Sequence, residues 1–125
     1  MTADPGPTVL VVEDDHSMRL LCRVNLELEG YRVLEAEKVS VARELIASEP
    51  IDLVLLDVHV RSEEGYGLID VIRGQDSGMR VALMSGTVEV PPERRVLADA
   101  VLTKPFKLEE LISTVRQLTA RAERT

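Results

Sequence analysis

Acidic side chains follow two of the most apolar runs in this sequence. The acidic triplet Glu13–Asp15 follows the run Thr8–Val12, and Asp57 follows the run Ile51–Leu56. If these carboxylates meet, two unit charges about 4 Å apart repel by about 4 kcal/mol at an effective dielectric near 20. A lysine or a hard divalent cation with oxygen ligands would relieve that repulsion. The carboxylates at these positions therefore favour a Mg2+ site with room for a phosphate.

Hydroxyl and ammonium groups follow two further apolar runs. Ser85–Thr87 come after Arg80–Met84, and Thr103–Pro105, which include Lys104, come after Ala100–Leu102. Each of these residues alone is an ordinary polar loop residue, but the carboxyl ends of parallel strands share one edge of a sheet. Together they add hydroxyls and an ammonium to the edge that carries the carboxylates, where Lys104 can offset part of the negative charge.

The elements that must position these groups alternate along the chain. Short apolar runs separated by amphipathic stretches predict a parallel sheet covered by helices. The predicted strands are Thr8–Val12, Tyr31–Ala36, Ile51–Leu56, Arg80–Met84 and Ala100–Leu102. A doubly wound α/β domain follows from this alternation.

The helical stretches are marked by apolar spacing and by caps. The first helix is predicted over Ser17–Glu29, with an apolar face that includes Leu21, Cys22 and Leu28. Ser40 is predicted to cap the second helix. Leu108, Leu111, Ile112, Val115 and Leu118 predict a final helix.

Composition restricts the classes of partner. The 125 residues suit a single domain over 1–125, with an ordered core over about 8–121. A net charge of −7 argues against direct binding of nucleic acid. One cysteine and the lack of a long apolar run predict a cytoplasmic protein without a membrane partner.

The ordered motifs VVEDD, LLDVHVRSEEG, MSG and TKPF resemble the receiver domains of two-component response regulators. The resemblance runs from about Thr8 to Arg121, and it implies a flavodoxin-like, doubly wound, five-stranded parallel sheet with the strand order 2-1-3-4-5. It also implies a phosphoacceptor signalling domain rather than a turnover enzyme.

The resemblance implies a role for each site residue. Asp57 matches the phosphoacceptor, Lys104 the lysine that pairs with the phosphoryl group, and Ser85 the hydroxyl that hydrogen-bonds it. The implied ligands of Mg2+, or of Mn2+, are Glu13 through water, Asp14, Asp57 and the backbone carbonyl of His59. Neighbouring positions are Gly86, Thr87 at the site entrance or in a turn, and Pro105 with an expected cis peptide bond.

The sequence departs from the family pattern at several positions. Arg61 stands where receivers usually carry proline, whereas Gly65 keeps the family glycine. Val101 replaces the aromatic residue whose ring turns inward on activation. The stretch from Ser85 to Lys104 is short and contains two prolines, which predict a shortened or irregular fourth helix.

Two functions of different kinds follow. In the first, a sensor histidine kinase or a histidine phosphotransfer protein docks on the first helix and donates a phosphoryl group to Asp57. The output would be a downstream protein or a domain of the parent chain. In the second, a degenerate receiver acts as a protein-interaction module without phosphorylation. A flavodoxin-like cofactor carrier is disfavoured, because no glycine-rich or hydroxyl-rich phosphate loop follows the first strand.

Overall fold

The computed structural model describes residues 6–60, 63–75, 78–86 and 90–120. The helices within these ranges are α1 (His16–Leu28), α2 (Val39–Ser48), α3 (Tyr66–Arg73), α4 (Pro92–Arg95) and α5 (Leu108–Thr119). The strands are β1 (Thr8–Val12), β2 (Arg32–Ala36), β3 (Leu53–Asp57), β4 (His59–Val60), β5 (Glu63–Glu64), β6 (Arg80–Ser85) and β7 (Ala100–Thr103).

Five of the strands form one parallel sheet in the order β2-β1-β3-β6-β7. This order is 2-1-3-4-5 when the small antiparallel hairpin of β4 and β5 is left out. Every residue of β1 and β3 is buried, as expected for strands covered on both faces. The predicted fold class is confirmed.

Alternate side chains of the sheet feed two apolar clusters. On one face of the sheet, α1 and α5 pack against β1 and β3. The buried residues of this cluster include Cys22, Leu26, Leu111, Val115, Val9, Val11, Leu53 and Leu55. On the other face, α2 and α3 pack through Ala42, Ile46, Leu68, Ile69, Leu10, Val12, Val54 and Leu56. The two clusters hold the carboxyl ends of the strands in register.

Helix α1 differs from the sequence prediction in which face it buries. Cys22 and Leu26 are buried, whereas Leu21 is 43% exposed and Leu28 is 78% exposed. The prediction was wrong for the last two because the helix carries apolar residues on more than one side, and periodicity alone does not tell which side meets the sheet. A stripe on α1 therefore faces outward: Leu20, Leu21, Val24 and Leu28.

Two element starts differ from the predictions by two residues. Helix α2 begins at Val39, so its N-cap is Lys38 rather than Ser40, and the Lys38 side chain makes no capping hydrogen bond. The third strand begins at Leu53, and just before it the Asp52 carboxylate accepts a hydrogen bond of 2.8 Å from the Thr8 backbone N–H. The hairpin of β4 and β5 was not predicted at all.

Helix α4 is short, as predicted, and begins at a proline, where a missing N–H costs little. None of its four residues is buried. Arg94 joins it to α3 by an ion pair of 3.2 Å with Asp70 and by a guanidinium 5.6 Å from the centre of the Tyr66 ring. Among the described residues, no helix combines the length and apolarity that a membrane crossing requires.

Arg73, at the end of α3, ties the same region to the sheet. Its guanidinium donates to the backbone carbonyl of Leu97 at 2.7 and 3.0 Å and to that of Met79 at 3.2 Å. It also forms an ion pair of 2.9 Å with Asp99. The segment between α4 and β7 is thus held by polar contacts.

Candidate functional site

Three carboxylates meet at the carboxyl end of the sheet. Because β1 and β3 are neighbours with Val12 opposite Leu56, the residues that end them lie side by side. One oxygen each from Glu13, Asp14 and Asp57 lies within 4.8 Å of the others. The predicted acidic cluster is therefore formed.

Lys104 brings the balancing charge from the far side of the sheet. Its Nζ lies 2.7 Å from Glu13 Oε1 and 3.5 Å from Asp57 Oδ2. The Lys104 backbone N–H donates to the carbonyl of Ser85 at 2.6 Å, and the Lys104–Pro105 peptide bond is cis. Lys104 thus directly follows β7, and its backbone is hydrogen-bonded to the end of the neighbouring strand β6. Its ammonium lies closer to Glu13 than to Asp57.

The burial of Glu13 makes the crowding costly. Its side chain is 1% exposed, and burial, followed by the contact with Asp57, raises the pKa of Glu13 to about 7. The ion pair with Lys104 works in the opposite direction but does not cancel the rise. Burial is the largest influence on Lys104 and opposes its charged form, but the hydrogen bonds and charges of Glu13 and Asp57 together outweigh it, so the pKa of Lys104 is raised. The site has more negative charge than one lysine neutralises.

The donor set fits Mg2+. All three side chains offer carboxylate oxygens, the ligands that Mg2+ takes, and it usually binds one or two of them while keeping several waters. Asp14 is half-exposed, which leaves one side of the cluster open to water and to a phosphate. Asp15 is not part of the cluster, because its Oδ1 caps α1 by accepting from the Met18 N–H at 2.9 Å.

The backbone after β3 holds Asp57 in place. The N–H of His59 donates to Asp57 Oδ1 at 3.1 Å, and the N–H of Val58 donates to the Met84 carbonyl at 3.1 Å. His59 itself is exposed at the start of β4. Its amide is thus in contact with the proposed phosphoacceptor, and the metal-binding role of its carbonyl stays a prediction.

Gly65 allows the chain to return close to Asp57. A Cβ at this position would lie 2.7 Å from the Asp57 carbonyl oxygen and 3.0 Å from Leu56 Cδ1. The Gly65 N–H donates to the Val58 carbonyl at 2.8 Å, which closes the loop that contains the hairpin. A glycine is required here by space rather than by backbone angle.

Ser85, Gly86 and Val101 are further predicted positions that the structure describes. Ser85 ends β6 and is buried, and Gly86 follows in an exposed bend where an added Cβ would meet nothing within 4 Å. Val101 is half-buried in β7 opposite Leu83. Thr87 and Arg61 lie outside the described residues.

Arg19 on α1 contacts the loop of Glu13 and Asp14, and the sequence did not predict this contact. One of its terminal nitrogens donates to the Glu13 carbonyl at 2.8 Å, and its Nε pairs with Glu35 Oε1 at 3.1 Å. Glu35 also pairs with Arg23 at 2.8 Å, so it binds two arginines of α1. The signal in the sequence was an arginine in the first turn of the helix that follows the acidic triplet.

Comparisons with known proteins agree with this geometry. The family described as "Response regulator receiver domain" matches residues 9–116. Response regulator MprA of Mycolicibacterium vanbaalenii is 34% identical over 116 residues, which cover 90% of this chain and 50% of that protein. The phosphate regulon transcriptional regulatory protein PhoB of Pseudomonas aeruginosa is 28% identical, covering 93% of this chain and 53% of that protein.

Solved structures show the same architecture. The CheY-like receiver domain protein of Methanospirillum hungatei superimposes with a TM-score of 0.81 at 26% identity, covering 90% of this chain and 92% of that one. A response regulator from Thermotoga maritima gives a TM-score of 0.77 at 29% identity, covering 93% and 99%.

The expectation of no nucleic acid partner is contradicted by the relatives. A relative from Synechocystis, RpaA, is described as a DNA-binding dual master transcriptional regulator and is 28% identical over 94% of this chain. This chain spans about half the length of the curated relatives it matches. The net charge of −7 describes the surface of this segment alone, so it was no ground for excluding nucleic acid from the function.

Proposed function

Since this chain belongs to the response regulator receiver domain family, whose members are phosphoacceptor signalling domains, we propose that Asp57 takes a phosphoryl group in a Mg2+-dependent reaction. The donor is a histidine kinase, a histidine phosphotransfer protein or a small acyl phosphate. The change in charge then alters the conformation for a downstream partner. The observation that carries this proposal is the convergence of Asp57, Lys104, Glu13 and Asp14 at one end of the sheet.

The chemistry suits the residue types. A carboxylate oxygen of Asp57 forms a bond to phosphorus while the bond from phosphorus to the donor nitrogen breaks, and that nitrogen keeps the bonding electron pair. The product is an acyl phosphate on Asp57, which carries more negative charge than the carboxylate and more acceptor oxygens. Such a transfer depends on positioning and electrostatic neutralisation more than on covalent help.

The chain's own residues supply part of that neutralisation. Lys104, already 3.5 Å from Asp57 Oδ2, is close enough to turn toward a phosphoryl oxygen. The His59 N–H and the Ser85 hydroxyl are the proposed donors to the other oxygens. Glu13, Asp14 and Asp57 would hold Mg2+, which when bound neutralises phosphoryl oxygens. In this proposal the domain accepts and loses its own phosphoryl group instead of turning over a substrate.

The exposed stripe on α1 supports a docking site for the phosphoryl donor protein. Leu20, Leu21 and Val24 are each about two-fifths exposed, and Leu28 is 78% exposed. Apolar side chains that share an outward helix face commonly mark a protein contact. The stripe starts about one turn after the acidic cluster, so a donor bound there lies next to Asp57.

One set of observations favours the alternative of a degenerate receiver that binds partners without phosphorylation. Val101 has no ring to relocate, and α4 has only four residues. Both changes lie in the region that receivers use to report phosphorylation. The alternative predicts no acyl phosphate on Asp57, so one measurement separates the two.

The wider setting is proposed from the relatives. We infer a transcriptional output, because the matched regulators PhoB and RpaA are named for one. We also propose that residues 1–125 form one receiver domain, with a core over about 8–121, and that it works in the cytoplasm.

The deciding experiment is mass spectrometry after incubation with acetyl phosphate and Mg2+. The wild-type protein should gain the mass of one phosphoryl group, and Asp57→Asn should not. Chelation of the metal should prevent the gain. An unmodified wild-type protein at millimolar Mg2+ and acetyl phosphate would leave the degenerate receiver as the better description.

A further inference from the structure

Arg19 contacts the loop that carries two of the three carboxylates, although it is not itself a site residue of the family pattern. Glu13 directly follows β1, and its N–H still donates to the Ala36 carbonyl of β2 at 3.0 Å. Beyond Ala36 the β2 chain leaves the ladder, so among the described residues β2 pairs no further with the chain after Val12. Arg19 supplies a donor to the Glu13 carbonyl at 2.8 Å.

The arginine is itself held from the other side. Its Nε lies 3.1 Å from Glu35 Oε1 on β2, and its side chain is only 13% exposed. A charge-assisted hydrogen bond from a guanidinium that is anchored at its other edge fixes direction as well as distance. The peptide between Glu13 and Asp14 is therefore clamped between α1 and β2.

Because that peptide carries one metal ligand on each side, its orientation sets where both carboxylates point. The Glu13 side chain is fixed further by the Asp15 N–H at 3.2 Å and by Lys104 at 2.7 Å. We propose that Arg19, anchored by Glu35, is a positioning residue that presets the acidic loop for Mg2+. The proposal rests on the metal site of the proposed function and assigns a role to a residue outside it.

Charge alone predicts the opposite effect, which makes the proposal testable. Arg19 is a cation close to the cluster, so its removal should tighten Mg2+ binding if only long-range Coulomb forces act. Loss of positioning should instead weaken binding, as loss of outer groups that orient metal ligands typically does by about tenfold or more.

The experiment compares Arg19→Met with Arg23→Met in the metal-free and Mg2+-bound protein. Arg23 is the matched control, because it lies one turn later on α1 and pairs with the same Glu35 at 2.8 Å. No hydrogen bond or ion pair from Arg23 to the acidic loop occurs among the described residues. Calorimetric titration with Mg2+ should give a dissociation constant raised about tenfold in Arg19→Met and unchanged or slightly lowered in Arg23→Met.

A second readout needs no metal. Amide hydrogen exchange of Asp15, whose N–H donates to Glu13 Oε2, should speed up in metal-free Arg19→Met and not in Arg23→Met. If Arg19→Met does not fold, Arg19→Lys replaces it. Lysine keeps the charge but loses the simultaneous contact with the Glu13 carbonyl and Glu35, so an intermediate loss of Mg2+ affinity is expected. The positioning role would be overturned if the Mg2+ affinity of the Arg19 variant equalled that of Arg23→Met. A wild-type protein that binds no Mg2+ would instead overturn the proposed function.

Discussion

The substitution Asp14→Asn should stabilise the metal-free protein while abolishing its response to Mg2+. At the 4.8 Å limit that encloses the three carboxylate oxygens, two unit charges repel by about 3.5 kcal/mol at an effective dielectric of about 20. Asp14 is half-exposed, so solvent screening lowers the expected gain on its removal to about 1 kcal/mol. For 125 residues that gain corresponds to a rise in Tm of about 4 °C.

The metal response should change in the opposite direction. At a concentration of Mg2+ one hundred times its dissociation constant, binding stabilises the folded state by about 2.7 kcal/mol, which raises Tm by about 10 °C. Asp14→Asn removes a charged ligand, so this rise should disappear. The protein then has a higher Tm than wild type without Mg2+ and a lower Tm with it.

Thermal unfolding followed by circular dichroism at pH 8 is the assay. This pH lies above the pKa of about 7 for Glu13, so that carboxylate carries its charge. Asp15→Asn is the matched control: it removes the same charge from the same loop, and asparagine caps a helix as well as aspartate does. Its Mg2+ response should equal that of wild type. An Asp14→Asn protein that melts lower than wild type without metal would refute the repulsion argument.

Three further results follow from packing and burial. Gly65→Ala should destabilise the fold by about 1–3 kcal/mol and slow phosphorylation of Asp57, since the new Cβ would lie 2.7 Å from the Asp57 carbonyl oxygen. The control is Gly67→Ala, which should be neutral or stabilising because an added Cβ meets nothing within 4 Å and the residue lies inside a helix. Equal effects of the two substitutions in urea unfolding would contradict this prediction. The Cys22 thiol is buried and its pKa is raised to about 11 by that burial, so a thiol reagent at pH 8 should label it only as fast as the protein unfolds; rapid labelling of the native protein would disprove the burial. Arg73→Met should lower the free energy of unfolding by about 1–3 kcal/mol, because it removes charge-assisted hydrogen bonds to the Leu97 and Met79 carbonyls and the ion pair with Asp99. An unchanged urea midpoint would show that these contacts do not stabilise the fold.

The sheet and the centre of the site were predictable because both follow from apolar runs. A strand buried on two faces must be apolar throughout, so β1 and β3 stand out, and parallel strands bring whatever follows them to one edge. The positions of Glu13, Asp14 and Asp57 follow from this rule. The roles of individual atoms came from the family resemblance instead.

The features that were missed depend on contacts between distant parts of the chain. The exposure of Leu21 and Leu28 depends on which side of α1 meets the sheet, and a helix with apolar residues on several sides does not encode that choice. The ion pair of Glu35 joins β2 to α1, and no local pattern announces it. The preference of Lys104 for Glu13 over Asp57 depends on sub-ångström placement after folding.

The way α4 is attached has a consequence for how this corner responds to its medium. None of its four residues is buried, and it contacts α3 through the Arg94 ion pair with Asp70 and the guanidinium over Tyr66. Added salt screens such charges, whereas it leaves apolar packing intact. High ionic strength should therefore weaken the contacts between α4 and α3, while the apolar packing of α1 and α5 on the sheet is kept. A partner that touches this corner would meet a surface whose rigidity depends on the electrolyte around it.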